Sequence, residues 1–303
     1  MNEPPGVAVL TGPTAVGKTE IAVEVALGLN AEILSLDSMA VYRRLEVGAA
    51  KPSAADRARV PHHLIDLVDV SEPFSVSEYL RAAMEQVHRL TAAGKTPLFV
   101  GGTLYYYRAL TRPFTSACPA NPALRARLAA LPEEDLRRRL EAVDAELAAR
   151  ITPGDVKRLI RGLEVFEQTG KPLSVWQQES RARPPLVQAR TVALIRDREA
   201  IYRRVEARCE AMLAAGLVEE VQGFLDEGIG LEATAMQGHG YKEIARALRG
   251  EYSLEEGIRL MKRNTRHYVK YHLNWLKRMP EVRLVNADAE NVEARCRALL
   301  RVG

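Results

Sequence analysis

Over the first hundred residues the apolar positions alternate between short unbroken runs and sets spaced to line one face of a helix. Val7–Leu10 is such a run, and "EIAVEVALGL" follows it with helical spacing. "AEILSLDS" is a second run, "FSVSEYLRAAMEQVHRLTAAGK" an amphipathic helix, and "TPLFVGG" a third run. Strands separated by helices predict a parallel sheet, covered on both faces, from Val7 to about Leu110. Ligands of such sheets gather beyond the C-terminal ends of the strands. That rule brings the loops after Leu10, Leu36 and Val100 to one edge.

From about Pro119 to Pro185 the texture changes to charge-rich helices with no strand signal. In "EEDLRRRLEAVDAELAAR" the residues Leu136, Leu140, Val143 and Leu147 share one helical face. "TPGD" interrupts the pattern, and "VKRLIRGLEVFEQTG" resumes it until Gly170 and Pro172 stop it. "RARPP" at Arg181–Pro185 reads as an exit linker and "TVALIRD" as a returning core strand, with helices thereafter. The expectation is an α/β core built from residues 1–118 and 185–303, with an all-helical domain, 119–184, inserted into it.

Composition adds bounds. Forty-three Lys and Arg against 39 Asp and Glu leave a net charge of +4, informative only where it is concentrated. Cys118, Cys209 and Cys296 lie far apart, so neither a zinc site nor a disulfide framework is expected. "MNEPPG" carries no basic apolar signal, and no run approaches the roughly 20 apolar residues of a membrane span. A cytoplasmic, monomeric protein without membrane contact is the expectation.

The loop after the first strand carries the sharpest chemistry. Gly12-Pro13-Thr14-Ala15-Val16-Gly17-Lys18-Thr19 fits G-x-x-x-x-G-K-S/T between a strand and a helix, the context that a phosphate loop requires. The glycines let backbone N–H groups turn toward an anion, Lys18 adds a point charge, and the Thr19 hydroxyl suits Mg2+. The sheet is therefore expected to be of the P-loop NTPase type. Asp37, after the second run, fits either an N-cap or a general base. Gly101-Gly102-Thr103 fits a pocket wall, and at least one of Tyr105, Tyr106 and Tyr107 should be core. Lys157, Arg158 and Arg161 taken alone read as a solvated helix face. In "MKRNTRHYVKYHLNWLKR", Lys262, Arg266 and Lys270 recur at i, i+4, i+8 among Tyr268, Tyr271, Trp275, His267 and His272. Cations for phosphates beside aromatics for bases suit single-stranded RNA.

The ordered set "GPTAVGKT", "SLDSMAVYR", "AAKPS", "PHHLIDLVD", "VGGT", "RLIRGLEVFEQTGKPLS", "GYKEI" and "TRHYVKYHLNWLKR" resembles the tRNA dimethylallyltransferase family over almost the whole chain. The resemblance implies transfer of a dimethylallyl group from dimethylallyl diphosphate to the exocyclic amine of the adenine 3′-adjacent to the anticodon. The phosphate loop would then hold the donor's diphosphate, through Gly12, Thr14, Ala15, Val16, Gly17, Lys18 and Thr19, with Arg204 and Arg208 facing it. Asp37 would accept a proton from, or orient, the amine, and Thr103 would stand near the reacting centre. Contacts to the tRNA anticodon stem-loop would come from Asp37, Ser38, Met39, Ala40, Thr103, Arg125, Lys157, Arg158, Arg161, Gln237, Gly240, Tyr241, Lys242, Lys270, His272, Trp275 and Lys277. Three departures stand out: Ala40 replaces the Gln of "DSMQVYR", Leu104 replaces the Gly of "GGTGLY", and residues 269–275 differ from "AKRQLTW".

Three rival classes share parts of this pattern. A small-molecule kinase would share the loop and sheet but have no use for the basic aromatic helix. A prenyltransferase acting on a free adenine nucleotide would lack the RNA face. A non-catalytic RNA-binding protein would leave Lys18, Asp37 and Thr103 without a purpose.

Overall fold

The computed structural model describes residues 3–115 and 117–302. In chain order the first half of the core comprises β1 (Gly6–Thr11), α1 (Lys18–Gly28), β2 (Ala31–Ser35), α2 (Ala54–Arg59), β3 (His62–His63), α3 (Val76–Ala92), β4 (Thr96–Gly101) and α4 (Leu104–Thr111). The helices α5 (Pro122–Ala129), α6 (Glu133–Val143), α7 (Ala145–Arg150), α8 (Val156–Thr169) and α9 (Leu173–Arg181) follow. The chain then runs through β5 (Gln188–Ile195), α10 (Arg198–Ala214), α11 (Leu217–Asp226), α12 (Tyr241–Leu248), α13 (Leu254–Leu276), β6 (Arg283–Asn286) and α14 (Val292–Leu300). Residues 1–111 with 187–303 form one compact unit and 112–186 another.

Six parallel strands make one sheet in the order β3-β2-β4-β1-β5-β6. Val7 to Leu10 of β1 are at most 1% exposed, as a strand covered on both faces must be. Because β1 lies between β4 and β5, the phosphate loop emerges from the middle of the sheet, next to the ends of β4 and β5. The parallel sheet of the P-loop type is thus present, with two strands that the apolar pattern did not predict. β6, in a stretch expected to be helical, is exposed at three of its four residues and exists by pairing Arg283–Asn286 with Val192–Ile195. β3 has two residues and no apolar run, and it is fixed by side chains. The returning strand also begins earlier than "TVALIRD", because Gln188–Arg190 register with Gly6–Ala8.

The helical unit owns a core of Leu128, Leu136, Leu140, Leu147, Ala148, Ile151, Leu159 and Leu163. The helix expected over 133–150 is broken at Asp144. This nearly buried carboxylate caps α7 through Leu147 N at 3.1 Å and receives Ser174 N at 2.9 Å. A cap that also ties down α9 outweighs the apolar periodicity running through it.

At the sheet edge Glu32 of β2 accepts hydrogen bonds from Lys95 (2.9 Å), the Nε2 of His63 (2.7 Å) and Arg89 (3.2 Å). Burial works against the charge, but these three donors outweigh it and hold the carboxyl at about 2, below its ordinary 4.5. A depressed carboxyl contributes stability above its unfolded value and loses it as pH falls toward the folded one. Glu32→Gln is therefore expected to cost up to about 3 kcal/mol at pH 7 and nothing near pH 2. Urea melts of both proteins at pH 7 and pH 3 check this; equal differences at the two pH values would remove the ion cluster as its cause.

Candidate active site

The phosphate loop takes its shape from three left-handed residues, Gly12 (φ 144°), Ala15 (φ 63°) and Gly17 (φ 97°). A Cβ on Gly12 would come within 2.6 Å of the Leu194 carbonyl, so glycine is required there by contact as well as by φ. Four loop carbonyls face cations. Lys18 Nζ donates to Gly12 O (2.9 Å) and Pro13 O (2.8 Å), Arg204 Nε to Ala15 O (2.7 Å), and Arg196 Nε to Val16 O (2.9 Å). In a trans peptide the N–H points opposite to the carbonyl, so these bonds turn the Thr14 and Gly17 amides the other way. Gly17 supplies no side-chain cap to α1, whose first-turn amides stay open to an anion. Thr14 is half-buried and Thr19 exposed at the start of that helix.

Burial and the nearby Arg208 depress Lys18 to about 8, against a smaller upward pull from Asp37. Arg208 on α10 is itself lowered by burial and raised by Asp37. Two partly desolvated cations that disfavour each other make a site that gains by taking up an anion.

Beyond β2 and β4 the chain crosses over itself. Thr103 N donates to Leu36 O (3.0 Å) and Ser38 N to Thr103 Oγ1 (2.9 Å), so the two strand ends are laced together. A Cβ on Gly101 would run into the Leu36 carbonyl, which is why glycine precedes this crossing. Asp37 Oδ1 accepts from Met39 N (2.8 Å) and Ala40 N (3.4 Å), the turn-capping geometry. The cap uses one carboxylate oxygen and leaves the other for chemistry, so the two expected roles do not compete.

Aromatic rings surround this carboxylate. Tyr79 and Tyr106 stack at 3.8 Å; burial raises both hydroxyl pKa values, and the charge of Asp37 adds to the shift. Tyr268 of α13 donates its hydroxyl to Gly102 O at 3.1 Å, and burial followed by Asp37 pushes it up to about 12. Tyr106 and Tyr107 are core, while Tyr105 is exposed. Residues 37, 103, 18 and 208 are thus within one electrostatic neighbourhood, next to an aromatic wall. Among the described residues no cluster of three or more His, Cys, Asp or Glu forms a metal cage. A Thr19 hydroxyl suits Mg2+, which keeps waters and takes remaining ligands from phosphate oxygens.

The residues expected to meet tRNA divide by burial. Lys157, Arg158, Lys270, Lys277 and Gln237 are exposed, and Ser38, Met39 and Lys242 are half-buried. Lys270 and Lys277 edge a cavity of about 290 Å3 with an apolar floor that includes Ile195, Leu273 and Leu284 and with Arg196 at its side. Arg125 and Arg161 are instead drawn onto the buried Glu164, at 2.8 and 2.6 Å, and Arg161 also holds Cys118 O. Trp275 packs edge-on against Tyr107. Ala40, Gly240, Tyr241 and His272 are buried. Tyr241 O–H donates to Glu220 (2.5 Å) and accepts from Gly48 N (3.0 Å), so it works as a core strut. Two of the basic residues in the C-terminal repeat are also structural: Lys262 bonds Glu210 at 3.0 Å and Arg266 pairs with Glu206, holding α13 to α10. Arg196 was not foreseen; its only signal is a cation directly after a core strand, at the ligand end of the sheet.

Comparison with known proteins extends the picture. The chain matches the IPP transferase family over residues 40–279. It is 44% identical over 297 residues to the tRNA dimethylallyltransferase of Syntrophobacter fumaroxidans, covering 95% of this chain and 86% of that protein. The namesake from Desulforudis audaxviator is also 44% identical, over 95% of this chain and 94% of its own. The tRNA isopentenylpyrophosphate transferase of Bacillus halodurans superposes with a TM-score of 0.72 at 32% identity, covering 98% of this chain and 95% of the other. A eukaryotic dimethylallyltransferase acting on tRNA superposes with a TM-score of 0.80 at 26% identity, covering 93% and 74%.

The electrostatics of Lys18 has a measurable consequence. A lysine depressed on folding opposes stability below its folded pKa, an effect that fades between about 8 and the unfolded 10.5. Lys18→Met is expected to raise the Tm of the ligand-free protein at pH 7, to lose most of that gain by pH 9.5, and to abolish the Tm increase produced by inorganic diphosphate. Thermal melts at both pH values decide; a gain that is the same at each would show that packing, not charge, is responsible.

Proposed function

Because the chain belongs to the IPP transferase family, whose tRNA dimethylallyltransferases it matches nearly end to end, we propose that it transfers a dimethylallyl group from dimethylallyl diphosphate to tRNA. The acceptor is the exocyclic amine of the adenine 3′-adjacent to the anticodon, and diphosphate is released. The observation that carries this reading is the convergence of a cationic phosphate loop, the Asp37–Thr103 crossing and an aromatic wall at one end of the sheet.

The chemistry follows from these parts. The amine nitrogen forms a bond to the terminal allylic carbon, the carbon–oxygen bond to the diphosphate breaks, and its electron pair leaves on oxygen. Lys18, Arg208 and the open amides of the loop and α1 stabilise that developing charge. The free oxygen of Asp37 accepts the amine proton while its partner oxygen stays bound to the Met39 and Ala40 amides, which keeps the carboxylate in place. Thr103, locked between Ser38 and the Leu36 carbonyl, lines the reacting centre. Thr19 would hold Mg2+, which would supply further neutralisation of the leaving group. An aromatic, water-poor wall suits an allylic cation, whose charge a ring face attracts and water would trap.

For tRNA, the exposed Lys157 and Arg158 on α8, Lys270 on α13 and Lys277 just past its end supply phosphate contacts. Arg125 and Arg161 act through Glu164 in shaping α8. The target adenine is stacked in its loop, and extruding it costs a few kcal/mol, about what several such contacts return. Among the described residues no helix is long and apolar enough to cross a membrane.

Purified protein with Mg2+, radiolabelled dimethylallyl diphosphate and unmodified tRNA is expected to place label in the tRNA. Asp37→Asn should lower the rate by about 100-fold or more with tRNA binding intact. Label in free adenine nucleotide instead, or ATP turnover without label, would transfer the protein to one of the rival classes. Arg158→Ala and Lys270→Ala should each weaken tRNA binding and reduce the salt slope by about one, whereas Arg161→Ala should lower Tm as well. A slope unchanged in the first two would leave those residues facing only solvent.

A further inference from the structure

One side chain at the site has both of its polar atoms unpaired. His272 on α13 has no solvent exposure, and among the described residues neither Nδ1 nor Nε2 has a hydrogen-bond partner. An orphaned buried polar group costs on the order of 1–3 kcal/mol, and roughly nine in ten buried polar groups avoid it. Such an exception calls for a missing partner.

The surroundings say what kind of partner. A Cβ built on Gly102 would lie 3.5 Å from His272 Cε1, 3.8 Å from its Nδ1 and 3.4 Å from the Gly12 carbonyl oxygen. The imidazole therefore sits against the end of β4, beside the first glycine of the phosphate loop, in space that the bare Gly102 leaves free. Lys18 is near enough that its charge, after burial, holds the ring at about 3, so the imidazole is neutral. Tyr268, one turn earlier and pinned to Gly102 O, stands edge-on to it at 6.2 Å. A neutral imidazole offers one N–H and one lone pair. It can donate to an anion without adding a third mutually repelling cation to Lys18 and Arg208.

We propose that His272 is a donor-site residue whose imidazole N–H hydrogen-bonds an oxygen of the diphosphate, on the Gly102 side of the phosphate loop. The inference rests on the prenyl-transfer reading and sharpens it: the residue expected at the tRNA surface is turned inward to the leaving group. Burial behind Tyr268 and Gly102 withholds it from an anticodon loop, while the space above Gly102 that it borders is also bordered by the Gly12 carbonyl that Lys18 holds. A hydrogen bond from a neutral donor to a charged oxygen in a dry site is among the stronger ones available to a protein.

The test titrates inorganic diphosphate with Mg2+ into the wild type, His272→Gln and His272→Leu by calorimetry, without tRNA. His272→Leu, similar in bulk but without a donor, is expected to bind diphosphate about tenfold or more weakly. His272→Gln, which restores an N–H, should stay within about threefold of wild type, and all three should bind unmodified tRNA equally in the absence of donor. Wild-type diphosphate affinity in His272→Leu would overturn the assignment, as would a loss confined to tRNA binding. Equal losses in both variants accompanied by a lower Tm would also overturn it, by making the residue a packing element. Failure of the wild type itself to bind diphosphate would instead remove the prenyl-transfer reading.

Discussion

Positive charge crowded around the phosphate loop at the C-terminal end of β1 is the constraint around which this protein is organised. Lys18 and Arg208 are partly desolvated and raise each other's cost, and Arg196 and Arg204 hold the same loop from a second side. Nothing local to the loop would tolerate that arrangement. The sheet does, because β1 is paired on both edges and buried on both faces, so its end cannot retreat from the charge. An anion seated on the loop would relieve repulsion that folding has already imposed, which is preorganisation in its electrostatic form.

The second half of the site is made by a crossing. Leu36 N bonds Val100 O, Thr103 N bonds Leu36 O, and Ser38 N bonds the Thr103 hydroxyl. These bonds join residues some 65 positions apart and set Asp37 beside the loop of Lys18. Gly101 and Gly102 are needed because one meets the Leu36 carbonyl and the other leaves room for the His272 ring. Capping its own turn through one carboxylate oxygen gives Asp37 a fixed direction.

Charge on this protein is used in two ways that the residue type alone does not separate. Arg125, Arg161, Lys262 and Arg266 are absorbed by acidic partners within their own compact units, while Lys157, Arg158, Lys270 and Lys277 extend into solvent. The first group gives α8 and α13 their positions, and the second gives those helices something to offer a polyanion. An exposed cation contributes to RNA affinity through counterion release. One already paired must first give up its carboxylate, so it returns less.

Reading the chain alone determined the phosphate loop, the alternating core, the inserted helices, Asp37 at a strand end and the ordered motifs of the family, because each is written in neighbouring residues: a glycine spacing, an apolar run, a helical period. Tertiary structure alone decided the rest. β6 exists because β5 offers it an edge, and β3 because Glu32 gathers His63, Arg89 and Lys95. The helix over 133–150 breaks because Asp144 finds Ser174, thirty residues away. His272 reads in sequence as a member of a basic aromatic surface and Tyr241 as part of a tRNA-contact stretch, yet which way a side chain on a helix points depends on what packs against that helix. Here Gly102, Tyr268 and the phosphate loop receive the first, and Gly48 with Glu220 the second. Periodicity specifies that a helix has a buried face; only the contacts of the folded chain specify that for α13 this face lies against Gly102, beside the phosphate loop.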